Sequence, residues 1–389
     1  MPCLQPAGST VSVPSLRANY EVAQVLRQHW AEVEHHPQVN RWQLRTLSAL
    51  KRCRTADLGG HVDACTDCGN TRISYNSCRN RHCPKCQGKN RENWITKREA
   101  ELLPVPYFHV VFTLPDTLNQ LAMYQPKAVY DSLFEAAWQT VHCFAKDPTH
   151  LGAKAGMIAI LHTWGQTLSL HPHLHCIVPG GGLTKDQKWK TAKTQGKYLF
   201  PVKAMSKVFR AKYVKALKSR IKPEKTLVNA LFQKEWVVYA KRPFGHPKAV
   251  LEYLGRYTHK VAISNHRILD IDSKQISFSY KDYRQGAQKL EMSLDNLEFI
   301  RRFSLHILPK GLVRIRHFGI LGSSAKQITI PLIHQELGGI PIPEKEPRIL
   351  ESYNPRYCSC CQKESMVSIQ RLPKRGPPKA VFPTVATQF

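Results

Sequence analysis

The chain has 389 residues, enough to bury a large core and to divide into two to four domains. Its 57 Lys and Arg against 28 acidic residues give a formal charge of +29, which points to a polyanionic partner: nucleic acid first, an anionic membrane surface second. No apolar run approaches the roughly 18 residues of a transmembrane helix, and the start shows no basic region followed by an apolar one. A cytoplasmic, nucleoid-associated protein is therefore expected, rather than a membrane or secreted one.

Residues 1–15, rich in Pro, Ser and Thr, are expected to be a disordered leader. In residues 16–54, the spacing of Val22, Val25, Leu26, Trp30 and Val33, then Trp42, Leu44, Leu47 and Leu50, predicts two helices broken at Pro37. Five of the twelve cysteines fall between residues 65 and 86. Cys65-x-x-Cys68 and Cys83-Pro-Lys-Cys86 are thiolate pairs of the kind that hold tetrahedral zinc, and without a secretion signal metal is favoured over disulfides. One structural zinc on Cys65, Cys68, Cys83 and Cys86 is the simplest assignment. Cys78 as an exchanged ligand or on a second ion stays open, with His61 and His82 as spare donors. From residue 79 to 98 there are seven Lys or Arg and one acid, Glu92, a flank suited to phosphate contacts. The plainer alternative is a solvated basic face on a zinc-stapled fold. Residues 16–103 thus form a helical lead-in and zinc-binding domain.

Residues 107–115, YFHVVFTLP, read as a central strand, and residues 127–145 as an amphipathic helix. Strands are predicted at 157–163 and 173–178, the second ending at Gly180-Gly181-Gly182. A strand, a helix and a hairpin indicate an α+β fold on an antiparallel sheet. A helix over 201–220 carries Lys207, Arg210 and Lys215 on a basic side that suits a DNA backbone, and a strand follows at 236–244. A helix starting near Pro247 holds EYLGRYTHK, where Tyr253 and Tyr257, four apart, share one side. Arg256 and Lys260 stand beside them as phosphate contacts. This central domain is taken as 104–270. HRILDID, QISFSYKD and QKLEMSLD alternate like a meander, NLEFIRRFSLHIL reads as a helix capped by Asn296, and GLVRIRHFGIL closes a basic β-rich region, 271–338. The Pro-rich, basic tail, 339–389, holds Cys358-Ser-Cys-Cys361, a third thiolate pair with no partner pair visible.

The chemistry centres on His-Pro-His-Leu-His, residues 171–175. On a strand, His173 and His175 share a face while Leu174 points to the core. His-x-His in a strand is commonly a packed pair, and two tyrosines four apart on a helix are commonly core. Their joint occurrence, in order, in so basic a chain points to metal-assisted phosphodiester chemistry. A third ligand is expected: a hairpin register with His162 near His175 puts His162 on the metal face, and a slip of one residue turns it away. Gln166 is the alternative, and His171 is expected to shape the turn. A cation there would act as a Lewis acid on the phosphate. Tyrosine keeps the bond energy in a phosphotyrosine ester, but with a pKa near 10 it needs activation.

On the segments ending SCRNRHCPKCQ, on YFHVVFTLP, HTWGQTLSLHPHLHCIVPGGGL, YLGRYTHKVAISNHRI and EFIRRFSLHILPKGLVRIRHFG, the chain resembles the HUH-type, two-tyrosine rolling-circle transposases of bacterial insertion sequences, the IS91 family, over roughly residues 20–340. The resemblance implies an HUH endonuclease domain with a divalent cation, Mg or Mn, on His173 and His175. It implies covalent joining of Tyr253 and Tyr257 to the 5′ end of the cut strand, single-stranded element ends and target as partners, and an end-recognising zinc domain. The function expected is thus metal-dependent single-strand cleavage and strand transfer. A carboxylate-dependent two-metal transposase and a non-catalytic zinc-ribbon DNA-binding regulator are the alternatives.

Overall fold

The computed structural model describes residues 18–86, 95, 98, 101–192, 199–241, 250, 261–282, 286–338 and 354–374. Three short helices come first among the described residues, α1 (Val22–Gln28), α2 (Trp30–Glu34) and α3 (Arg41–Lys51). The break near Pro37 is present, but the first helical stretch is divided again at His29. A capping box starts α3: the Asn40 side chain accepts from the Gln43 amide, and the Gln43 side chain accepts from the Asn40 amide. Strands β1 (Gly60–Cys65) and β2 (Thr71–Tyr75) follow.

The centre comprises β3 (Tyr107–Thr113), α4 (Asn119–Tyr124), α5 (Pro126–Lys146), β4 (Gly156–Trp164), β5 (Leu170–Pro179), the ribbon β6 (Gly181–Leu183) and β7 (Trp189–Thr191), α6 (Val202–Lys218), α7 (Lys225–Gln233) and β8 (Val238–Lys241). Then come the meander β9 (Ile268–Ile271), β10 (Gln275–Asp282) and β11 (Gln288–Asp295), and α8 (Asn296–Leu305), β12 (Ile315–Gly319), α9 (Lys326–Glu336) and β13 (Met366–Leu372). The fold is α+β.

A five-stranded antiparallel sheet ordered β12-β4-β5-β3-β8 forms the frame. Alternation gives it two different faces. Phe108, Val110, Phe112, Ala159, Leu161, Leu174, Cys176 and Val178 point to α5 and α6, where they meet Phe134, Val141, Phe209 and Leu217. Each such fully buried Phe or Leu contributes roughly 1.5–3 kcal/mol. The other face carries Tyr107, Ile158, Ile160 and Ile177 under Val250, Ile320, Leu321, Ile330 and Ile333.

Chain order and spatial order diverge. Strand β12, expected in a separate C-terminal region, is the sheet edge beside β4. The lead-in core of Val25, Leu26, Leu47 and Leu50 packs on Ile276, Phe278, Phe299 and Phe303 of the meander and α8. The tail strand β13 pairs with β1. The expected divisions at 270 and 338 therefore cut through shared layers, because alternation reveals that a strand pairs but not with which one. Asn296 is not the cap of α8. Asp295 accepts from the Leu297 and Glu298 amides, while buried Asn296 donates to the Asp272 carbonyl. Helices α7 and α9, the latter with Pro331 inside, were not anticipated.

Candidate metal centres

Among the described residues, three groups of metal-donor side chains converge, each with its donor atoms within 4.8 Å of one another: Cys53, Cys78, Cys83 and Cys86; Cys65, Cys68, Cys358 and Cys361; and His162, His173 and His175. The four cysteines expected to share one ion are thus split between two clusters. The Cys83/Cys86 pair meets Cys53, just after α3, and Cys78, the donor left open above. The Cys65/Cys68 pair meets the tail pair that had no partner. Sulfur separations of 3.5 Å (Cys53–Cys86) and 3.7 Å (Cys78–Cys86) approach the roughly 3.8 Å edge of a tetrahedron with 2.3 Å Zn–S bonds. The Cys78 amide points at the Cys53 sulfur, 3.4 Å away. Arg54 and Arg79, which directly follow Cys53 and Cys78, have φ of 56° and 52°, a left-handed conformation that non-glycine residues take only when held. His61 and His82 stand outside both clusters: His61 lies 3.5 Å from Asp63, and His82 accepts from Arg81.

The histidines sit on the middle of the sheet. In the β4–β5 hairpin His162 lies opposite His173, and Ile160 opposite His175, so His162 shares the face of both strand histidines. Its ring centre is 4.7 Å from that of His175 and 5.5 Å from that of His173. Leu174 between them is fully buried in the opposite layer. The His173 and His175 Nε2 atoms are 3.2 Å apart, within the range of two imidazoles sharing an ion at about 2.1 Å. Both Nδ1 atoms are occupied. That of His173 donates to the His171 carbonyl at 2.6 Å, while the His171 ring is not among the converging donors. That of His175 meets Nε2 of His109 on β3 at 3.0 Å, and would be the donor of that bond with an ion held on His175 Nε2. His162 stacks on Trp164 at 4.7 Å and 19°, and Arg314 lies over Trp164. Gln166 lies in the turn, its carbonyl held by Arg267.

The basic candidates divide. Lys207 and Lys215 are exposed on α6, which covers the sheet face away from the histidines. Arg210 is engaged within the fold, donating to the carbonyls of Phe232 (2.8 Å) and Lys234 (3.1 Å) at the end of α7. In the basic zinc flank, Arg81 donates to the carbonyls of Leu312 and Pro309, and Lys85 pairs with Glu21. Tyr253, Arg256, Tyr257 and Lys260 lie outside the described residues.

Residues 25–114 match the family model described as "Transposase zinc-binding domain", and residues 156–328 match the one described as "Putative transposase". "Putative transposase y4qJ" of Sinorhizobium fredii is 42% identical, over 93% of this chain and 98% of its own length. The chain belongs to the IS91-family transposases, with an N-terminal zinc-binding domain. The "Transposase for insertion sequence element IS801" of Pseudomonas savastanoi pv. phaseolicola is 28% identical, over 80% of this chain and 78% of that protein. No solved structure matches the chain.

The transposase therefore acts on DNA and carries structural zinc in its N-terminal domain. Cys53, 78, 83 and 86 all fall inside the zinc-domain match, and His162, His173 and His175 inside the transposase match. No helix among the described residues is long and apolar enough to cross a membrane. Sequence reasoning passed over two residues of these centres. Cys53 lacks a neighbouring cysteine, so knuckle spacing could not flag it. His109 was findable as the lone imidazole in an apolar strand.

Proposed function

We propose that this insertion-sequence transposase cuts and rejoins single DNA strands by the HUH route, with Tyr253 or Tyr257 as nucleophile and His162, His173 and His175 holding a divalent cation. The observation that carries the reading is the convergence of three imidazoles on one face of the β4–β5 hairpin, in the middle of the sheet, near the two described ends of the tyrosine segment. Val250, on one side, is buried against Ile160 and Ile177, neighbours of His175. Val261 and Ala262, on the other, line a small recess with Trp164, which stacks on His162. Tyr253 and Tyr257 fall among the ten residues between Val250 and Val261 in sequence. Four apart in sequence, Tyr253 and Tyr257 would share one side of a helix.

The donor set fits such an ion. It offers neutral nitrogen ligands, oriented by His109 and the His171 carbonyl, and none of the converging groups among the described residues contains a carboxylate. All-imidazole ligation suits Mn better than Mg. It also tells against the two-metal carboxylate alternative. A bound cation would supply Lewis-acid polarisation of the scissile phosphate. The tyrosine oxygen, losing its proton, forms the new bond to phosphorus while the bond to the 3′ oxygen breaks and that oxygen leaves as a hydroxyl. A 3′ hydroxyl of the target later attacks the 5′-phosphotyrosine and restores the tyrosine. Two tyrosines allow a second cut before the first end is released. Basic residues, Arg256 and Lys260 among them, grip the strand.

The test is incubation of the full-length protein with labelled single-stranded element ends and Mn. A denaturation-resistant protein–DNA adduct is expected, lost in Tyr253→Phe/Tyr257→Phe while binding persists. Adducts that survive in the double variant would overturn the scheme. Binding with no cleavage under any metal, indifferent to His173→Ala, would leave the non-catalytic regulator as the better account.

A further inference from the structure

We propose that Cys65, Cys68, Cys358 and Cys361 form a second zinc site, which clasps the C-terminal segment onto the N-terminal sheet. Half of its ligands lie beyond residue 114, where the zinc-binding-domain match ends. The sulfurs of Cys65 and Cys361 are 3.5 Å apart and those of Cys68 and Cys358 3.7 Å, again close to the edge of a tetrathiolate zinc tetrahedron. Cys65 and Cys358 are almost wholly buried, Cys361 is half-buried and Cys68 is exposed, so the four sulfurs crowd together at the margin of the fold.

The tail loop repeats the geometry of the first knuckle. Gly69, right after Cys68, has φ 69° and donates its amide to the Cys65 carbonyl at 3.0 Å. Gln362, right after Cys361, has φ 58° and donates to the Cys358 carbonyl at 2.9 Å. Glycine takes that conformation freely and glutamine does not. Both halves of the cluster thus present their sulfurs from the same loop conformation, one of them at the expense of a strained glutamine. Donors that stabilise thiolate charge surround the site: the Cys68 amide 3.4 Å from Cys65, Asn70 Nδ2 3.8 Å from Cys358, and the Ser365 hydroxyl 3.0 Å from Cys65. The flanking chain is tied down independently. Strand β13 pairs with β1 from Gly60↔Leu372 to Cys65↔Met366, and Arg72 donates to the Pro355 carbonyl at 2.7 Å. Those contacts alone could dock the tail without metal, and the experiment must separate the two accounts.

Zinc is counted by elemental analysis on full-length protein purified under reductant, in a His162→Ala/His173→Ala/His175→Ala background that removes imidazole-bound ions. Two zinc ions per chain are expected. Cys358→Ser/Cys361→Ser should lower the count by one, Cys65→Ser/Cys68→Ser likewise, and all four substitutions together by no more than one. An unchanged count in the tail variant, or losses that add, would overturn the proposal. If the serine variants are insoluble, Cys361→His in cobalt-loaded protein decides. Half of the tetrathiolate absorption should convert to the pattern of three sulfurs and one nitrogen, and an unaltered spectrum would count against the site.

Discussion

His109 touches no proposed ion, yet its ring nitrogen fixes which nitrogen of His175 faces the cluster. Partners of this kind typically change metal affinity by about 10–100-fold when removed. His109→Ala should weaken Mn binding by that order in calorimetric titration, with His109→Gln, which retains an acceptor, recovering part of it. Equal affinity in all three proteins would show that His175 needs no partner. His306 poses a different question. It is wholly buried between the Thr163 hydroxyl and the Leu168 carbonyl, and burial holds its pKa down at about 4. The unfolded chain takes up that proton near pH 6.5 and the folded one only near 4, so stability falls on acidification across that window, by on the order of 3 kcal/mol. His306→Gln should flatten the slope of unfolding free energy between pH 6.5 and 4 relative to the parent. Parallel slopes would dismiss the residue as a source of acid sensitivity.

At the level of elements, the N-terminus of α8 rests on the Asp295 carboxylate, and Asp295→Ala should cost about 1 kcal/mol in denaturant unfolding. Asn296→Ala instead removes a buried donor to Asp272, so its loss arises in the β9–β10 turn rather than in helix capping. The same region shows what alternation and helical spacing could convey. The strands at 107–113, 156–164, 170–179 and 288–295, and the helices at 126–146 and 202–218, were legible, because each is long and has one periodic apolar face. The β4–β5 register was open until pairing was seen, since the turn at 165–169 allows more than one alignment. Partners remote in sequence were hidden altogether. Nothing local tells Cys65 that its complement lies near residue 360, or tells β12 that it borders β4. Helix α7 is short and half-exposed, so its signal was weak.

For the whole molecule, Cys53 and Cys83 belong to the same apolar core as α1, α3, the meander and α8. Stripping zinc from that cluster with a strong chelator should therefore raise amide exchange in residues 22–51 and 268–305 together, leaving α5 and α6 protected by their separate core. Loss confined to residues 53–86 would mean that the cluster staples only its own loop. The pairing of β13 with β1 has a consequence for biosynthesis. The strand and thiols that complete β1 and β2 lie some 290 residues further along the chain, so they are translated long after β1 and β2. The first sheet to be made is the last to be finished. A chain ending before β13 would keep the histidine hairpin but leave β1 with an open edge and Cys65 and Cys68 without their partners.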